Sequence, residues 1–169
     1  SNLLFELSNR IPGLILQIQH HPDGHISIPY ASHAIHAYFG CYAEEVRDDW
    51  SRLADRIEPE DRQSFYLQMK RSAKKKITFR FAFRVKGDRE AINWYSIEAV
   101  PDLLEEDNVV WHSYLSDITS QKQAEHQLRN YAESIKNQNL ILQKAQYEAD
   151  QASRAKNQFL ANMSHEVRT

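Results

Sequence analysis

The sequence predicts an α+β fold, a five-stranded antiparallel sheet with short helices on one face, followed by one long C-terminal helix. Three observations predict it. Runs of alternating apolar and polar residues recur before residue 120 and are bounded by turn signals. A block of short helical patterns interrupts them after the second run, as in a sheet whose helices gather on one side. Beyond residue 120 there is no Gly or Pro, and Gln, Ala, Glu, Lys and Asn dominate, which is the composition of a long helix. At 169 residues the chain has room for one domain of about 100–150 residues and an extended element besides.

Composition also narrows the partners. Formal net charge is −2, with neither a basic face nor an acidic tail, so no nucleic acid is expected to bind. No apolar run approaches the roughly 18 residues of a bilayer span and no signal peptide is present, so no direct membrane contact is expected. The one cysteine, Cys41, cannot form an internal disulfide, and a reducing cytoplasm is the expected compartment. Ser1-Asn2 reads as a remnant of cloning and the chain as a piece of a longer protein, whose anchoring in an inner membrane is left open.

From the N-terminus, Leu3, Leu4, Leu7 and Ile11 give a short leader helix (1–12) an apolar stripe that Pro12-Gly13 ends. Such a helix either covers its own domain or pairs with its copy in a dimer. Leu14, Leu16 and Ile18 alternate with Gln17 and Gln19 in a first strand, Pro22-Asp23-Gly24 turns, and a second strand runs near Ile26 to Tyr30. Ile35, Tyr38 and Phe39 have helical spacing, Glu44-Glu45-Val46 suggests another helical turn, and Trp50, Leu53 and Ile57 continue an apolar thread. Glu58-Pro59-Glu60-Asp61 opens a helix with Pro in its first turn and acids at its positive end. Phe65, Met69 and Ala73 face inward on it, and Lys74-Lys75-Lys76 closes it as C-terminal cations.

The third strand sets Ile77, Phe79, Phe81, Phe83 and Val85 on one face and Thr78, Arg80, Ala82 and Arg84 on the other. Lys86-Gly87-Asp88-Arg89 is a hairpin loop. A fourth strand, Ala91 to Val100, surrounds Trp94; Asp102 to Asn108 reads as an acidic loop; and a fifth, Val109 to Ile118, carries Trp111, Tyr114 and Leu115. Residues 13–120 then resemble a PAS domain. The resemblance rests on Asp23-Gly24, on Tyr38-Phe39-Gly40 followed by Ala43-Glu44-Glu45-Val46, on Pro59-Glu60-Asp61-Arg62, on Trp94 after the Gly87 hairpin, and on Asp117-Ile118-Thr119, which matches that family's exit signal.

PAS domains often hold a small molecule between helices and sheet, and the ligand here is unknown. A flavin-binding member is expected to carry an Asn-Cys-Arg-Phe-Leu box in its helical block, which is absent, and Cys41 reads as a small buried hydrophobe. Oxygen-sensing haem members offer a histidine before the third strand, and Glu58 to Lys76 holds none. Neither flavin nor haem is therefore expected. His20, His21, His25, His33 and His36 crowd the first hairpin and the next helix, but no carboxylate or thiol stands at ligand spacing, so no metal site is expected and they read as partly exposed polar residues.

After Thr119 the pattern is heptad. Leu128, Ile135, Leu142, Ala149, Lys156 and Met163 recur every seven residues, and Ala124, Tyr131, Gln138, Ala145, Ala152 and Phe159 form the second series. This a/d seam predicts a parallel dimeric coiled coil over 121–158. Polar Gln138 and Lys156 and the small alanines make it only moderately stable, which suits a switch. If Gln121 to Thr169 is one helix, at about 1.5 Å per residue it runs roughly 70 Å. The segment 159–169, Phe-Leu-Ala-Asn-Met-Ser-His-Glu-Val-Arg-Thr, resembles the start of the phosphoacceptor box of sensor histidine kinases.

That resemblance implies His165 as phosphoacceptor, Glu166 as its base and Thr169 as an aid to dephosphorylation. With one long helix leaving the domain, Asp117, Ile118 and Thr119 are expected to be the junction passing a change in the domain to the seam of Leu128, Tyr131, Ile135, Gln138, Leu142 and Ala145. ATP and Mg²⁺ would come with a separate ATP-binding domain, since no phosphate loop or metal-binding acid cluster occurs in a chain with four glycines. A response-regulator receiver domain would take the phosphoryl group. Two other readings remain at this stage: a PAS and coiled-coil interaction module with an inert His165, and a haem-based or other small-molecule sensor.

Overall fold

The computed structural model describes residues 2–168. After helix α1 (Asn2–Arg10) come β1 (Leu14–His20) and β2 (Ile26–Ala31), and then the helices α2 (Ile35–Phe39), α3 (Ala43–Val46), α4 (Ser51–Ala54) and α5 (Pro59–Lys75). Strands β3 (Phe79–Lys86), β4 (Ile92–Glu105) and β5 (Asn108–Asp117) complete a five-stranded sheet of order β2-β1-β5-β4-β3, every pairing antiparallel. Helix α6 (Thr119–Arg168) is continuous over 50 residues and buries none of them. The chain divides into two compact units, residues 1–122 and 123–169. The expected fold class, a PAS-type α+β sheet followed by a long helix, is the one observed.

Period-two alternation decides which face of the sheet is core. Leu14, Leu16 and Ile18 of β1, Tyr95, Ile97 and Ala99 of β4 and Trp111, Ser113 and Leu115 of β5 are all buried. Gly13 lets β1 begin where it does. Its φ is +107°, and a Cβ there would stand 2.6 Å from the Leu115 carbonyl oxygen.

Phe65 of α5 is the centre of an aromatic cluster, its ring centroid 5.3–6.0 Å from those of Phe83, Trp50, Phe81 and Phe79. Tyr95 packs on Phe39 and Tyr38 and donates its hydroxyl to the Tyr38 carbonyl at 2.7 Å. Burial pushes the Tyr95 phenol up to about 12, with the Asp117 charge adding to the shift. The space between α2–α4 and this end of the sheet is therefore filled by rings.

Two boundaries differ from expectation. Ile77 was expected in the third strand, but β3 begins at Phe79 and Ile77 is 42% exposed. The α5 end takes it instead: Lys76 is left-handed (φ 56°), Ile77 N donates to Ser72 O, and Ser72 Oγ donates to the Ile77 carbonyl. Asp102 to Asn108, expected as an acidic loop, is mostly strand. Asp102 pairs with Val110 and Leu103 with Val109, a bulge follows, and only Glu106-Asp107 turn, with Asp107 at φ 59°. The backbone ladder is satisfied by β5 whatever the side chains are, so acids that project into water do not oppose it.

Leu3 and Leu7 of α1 and Ile11 just after it are exposed, while the Leu4 side chain lies outside the described residues; Asn9 Oδ1 accepts the His33 N–H at 3.0 Å. Among the described residues, no helix is long and apolar enough to cross a membrane.

Candidate functional site

The junction between β5 and α6 is built from short-range capping and one long-range partner. Asp117 Oδ1 accepts the Thr119 N–H at 2.9 Å and the Thr119 hydroxyl at 2.6 Å, which satisfies an otherwise unpaired donor in the first turn of α6. Thr119 Oγ1 in turn accepts the Trp94 N–H at 3.0 Å, and Ile118 N donates to the Trp94 carbonyl at 2.9 Å. The β4–β5 ladder thus continues into the helix start. Asp117, Ile118 and Thr119, named from sequence, are brought together around the backbone of Trp94.

The Trp94 side chain extends the junction across the outer face of the sheet. Lys122 Nζ lies 5.1 Å from its ring centroid and Arg84 Cζ 5.8 Å, both within cation–π range. Arg84 is held from below by α5. Asp61 Oδ2 accepts its Nε at 2.9 Å and its backbone N–H at 2.7 Å, Asp61 Oδ1 accepts Nη2 at 2.9 Å, and Glu60 lies 3.4 Å away. A continuous set of contacts therefore runs from the α5 N-terminus through Arg84 and Trp94 to Lys122. Sequence reasoning saw Glu60 and Asp61 only as acids complementing a helix dipole; Arg84, on the outward face of the third strand with Arg80, carried no signal that singled it out as their partner.

The Arg84 guanidinium, through its hydrogen bonds, holds the Asp61 carboxyl below its usual 3.8, and the same pair raises Arg84. Because the folded value is depressed, the stabilisation is present above pH 3.8 and is lost as pH falls through the lowered folded value. Asp61→Asn is expected to cost about 1.5–3 kcal/mol at neutral pH, the range for hydrogen bonds to charged groups. It should also flatten the acid limb of the stability profile. Urea unfolding of both proteins across the acid range checks this, and parallel acid limbs would rule the linkage out.

The sequence-predicted phosphoacceptor segment lies in the last turns of α6. His165 and Glu166 are exposed, and Thr169 lies outside the described residues. His165 stands two residues past the seam position Met163, so it points away from the a/d line. Along that line Leu128, Tyr131, Ile135 and Leu142 are exposed by 69, 68, 42 and 66%, and Gln138 and Ala145 are exposed with them. Leu140, Ile141, Tyr147 and Leu160 are exposed off the seam, an apolar surface the heptad pattern did not single out.

The five histidines do not converge. His21 and His25 stack at 3.9 Å, His21 Nε2 lies 2.7 Å from Ser27 Oγ and His25 Nδ1 2.5 Å from Asp23 Oδ1, whereas His36 stacks on Tyr42. Burial, then the neighbouring His25, lowers the His21 pKa. Among the described residues, no three His, Cys, Asp or Glu side chains gather as a metal site would require. Cys41 is buried, and burial pushes its thiol up, as for a small core hydrophobe.

Comparison with known proteins gives three results. A family model described as the PAS fold matches residues 28–114, just over half of the chain. Two curated relatives, Sensor protein GacS of Pseudomonas syringae pv. syringae and Sensor histidine kinase GacS of Pseudomonas protegens, are each 53% identical over 47 residues. Those residues are 28% of this chain and span only 5% of either relative's length. Among solved structures, a sensory box histidine kinase/response regulator from Burkholderia thailandensis superposes with a TM-score of 0.57 at 17% identity, covering 80% of this chain and 97% of the other. An RNA-binding light-oxygen-voltage receptor superposes with 0.54 at 16% identity, over 78% of this chain and 37% of that one. At such identities a shared fold says nothing of shared activity. With a family model spanning residues 28–114 and a β2-β1-β5-β4-β3 sheet, this chain belongs to the PAS fold family.

Proposed function

We propose that the chain is the sensing and signal-relaying portion of a two-component sensor histidine kinase, hybrid or not, working as a parallel homodimer. His165 is the phosphoacceptor. One ring nitrogen of its neutral imidazole attacks the γ-phosphorus of ATP, forming an N–P bond as the bond to ADP breaks, while Glu166 takes the proton from the other nitrogen. ATP and Mg²⁺ arrive with the protein's own ATP-binding domain. An aspartate of a response-regulator receiver domain then accepts the phosphoryl group, and Thr169 assists its hydrolytic removal. Use of ATP puts this portion in the cytoplasm.

The observation that carries the reading is continuity: one unbroken helix joins the capped Asp117-Thr119 junction to the exposed His165. A change in the domain has a continuous helix to act on, and the heptad seam of Leu128, Tyr131, Ile135, Gln138, Leu142 and Ala145 gives two helices a register to exchange. The 53% identity to sensor histidine kinases over 47 residues points the same way.

Phosphotransfer in trans tests it. The chain and its His165→Gln variant are incubated with a histidine kinase ATP-binding domain and labelled ATP, and a longer natural chain is run alongside. Label on wild type and at least about a hundredfold less on the variant is expected. Equal label on both assigns the acceptor elsewhere. No label on either length leaves an interaction module with an inert His165.

A further inference from the structure

The filled end of the domain, where Tyr95 pairs with Asp117, contrasts with the opposite end of the same strands, where Leu103 pairs with Val109. There a cavity of about 660 Å³ opens beneath the C-terminal half of α5, within the roughly 300–1,000 Å³ that small-molecule sites occupy. Its walls are apolar: Ile26, Met69, Ala73, Leu103, Val109 and Trp111. The indole N–H of Trp111 is already bound to Ser72 Oγ at 3.0 Å, so the ring offers carbon to the cavity. Met69 adds an unbranched side chain that adapts to irregular shapes. His20 Nδ1, 3.2 Å from the Asp107 carbonyl, ties the β1 end to the β4–β5 hairpin and closes one wall.

The mouth is polar and polarised. Lys70, Lys74 and Lys76 stand on the α5 side and Glu106 and Asp107 on the hairpin side. No salt bridge among the described residues engages any of the three lysines. Cations at a helix C-terminus complement the dipole, but that role does not require them to ring an apolar hollow. We propose that this cavity binds a small organic anion with an apolar body, a medium-chain or aromatic carboxylate, its body against Met69 and Trp111 and its head at Lys70 and Lys74. The apolar walls supply the burial term, and the unpaired ammonium groups make an anionic head preferable to a neutral or cationic one. The inference gives the sensory reading above a ligand class. Its readout is binding alone, so a failure here leaves phosphotransfer intact, and an unlabelled His165 leaves this site intact.

Titration calorimetry of the whole chain with decanoate, decan-1-ol and decyltrimethylammonium provides the test, paired with the indole N–H signals of Trp50, Trp94 and Trp111 in a ¹⁵N correlation spectrum. Decanoate is expected to bind at least about tenfold more tightly than the alcohol or the ammonium, a difference of one factor of ten per 1.4 kcal/mol. The Trp111 signal is expected to move while that of Trp94, on the outer face, stays. In Lys70→Gln/Lys74→Gln, two exposed positions whose exchange leaves the core untouched, decanoate should weaken at least about fivefold and decan-1-ol should not change. Absence of decanoate binding, equal affinity for the alcohol or the ammonium, an unchanged double variant, or movement of Trp94 in place of Trp111 would each overturn the proposal.

Discussion

Phe65→Ala is expected to destabilise the domain by about 3–5 kcal/mol, the range for removing a large buried aromatic side chain. The Phe65 side chain is 2% exposed and meets four other rings, three of them from β3 alone. Its removal therefore loses both the transfer term and edge-to-face contacts, and α5 cannot collapse into the gap without leaving Asp61 on Arg84. A domain's total stability is about 5–15 kcal/mol, so this one change uses a large part of it. Urea unfolding followed by circular dichroism measures the loss, and in a thermal melt the midpoint should fall by more than about 10 °C. Leu67→Ala, two residues along the same helix at a position 63% exposed, is expected to stay within about 0.5 kcal/mol. Equal effects of the two would mean that α5 does not pack as described.

Leu128→Glu combined with Ile135→Glu is expected to have the largest effect on the proposed relay. Both residues occupy the same series of the seam, one heptad apart, and both are exposed along α6. In a parallel dimer each would face its own copy, so four carboxylates would replace four apolar knobs near the start of the coiled coil. With Gln138 polar and Ala145 small, only Tyr131 and Leu142 remain as large apolar seam residues over this stretch to resist separation. Sedimentation of a chain that is dimeric as wild type should then report monomer, and label at His165 should fall at least about tenfold where phosphotransfer requires the dimer. A substituted chain that stays dimeric would show that the interface lies elsewhere, for which the exposed Leu140, Ile141 and Tyr147 are the alternative surface.

The two parts of the proposal were legible in different ways. The alternation of Leu14, Leu16 and Ile18, and of Phe79, Phe81 and Phe83, was enough to place two strands and their buried face, because strand period and burial are local properties of a few residues. His165 is the opposite case. Nothing in periodicity distinguishes it from another helical histidine, and it stands out only through the likeness of the residues around it to a known box.

Local sequence by itself determined the sheet's strands, the helical block between them, the long helix after Thr119 and the heptad seam along it, since each is written in the spacing of neighbouring residues. Only tertiary structure decided what meets across the fold. Asp61 and Arg84 lie 23 residues apart, each reads as an ordinary charge, and their bond appears only when α5 crosses β3. The length of β4 was settled likewise by the ladder that β5 offers to Asp102 and Leu103, against the acidic composition of the segment. The cavity under α5 exists because helix, hairpin and the end of β1 close around one space. No single element carries that information, as packing is a relation between elements and spacing is a property of one.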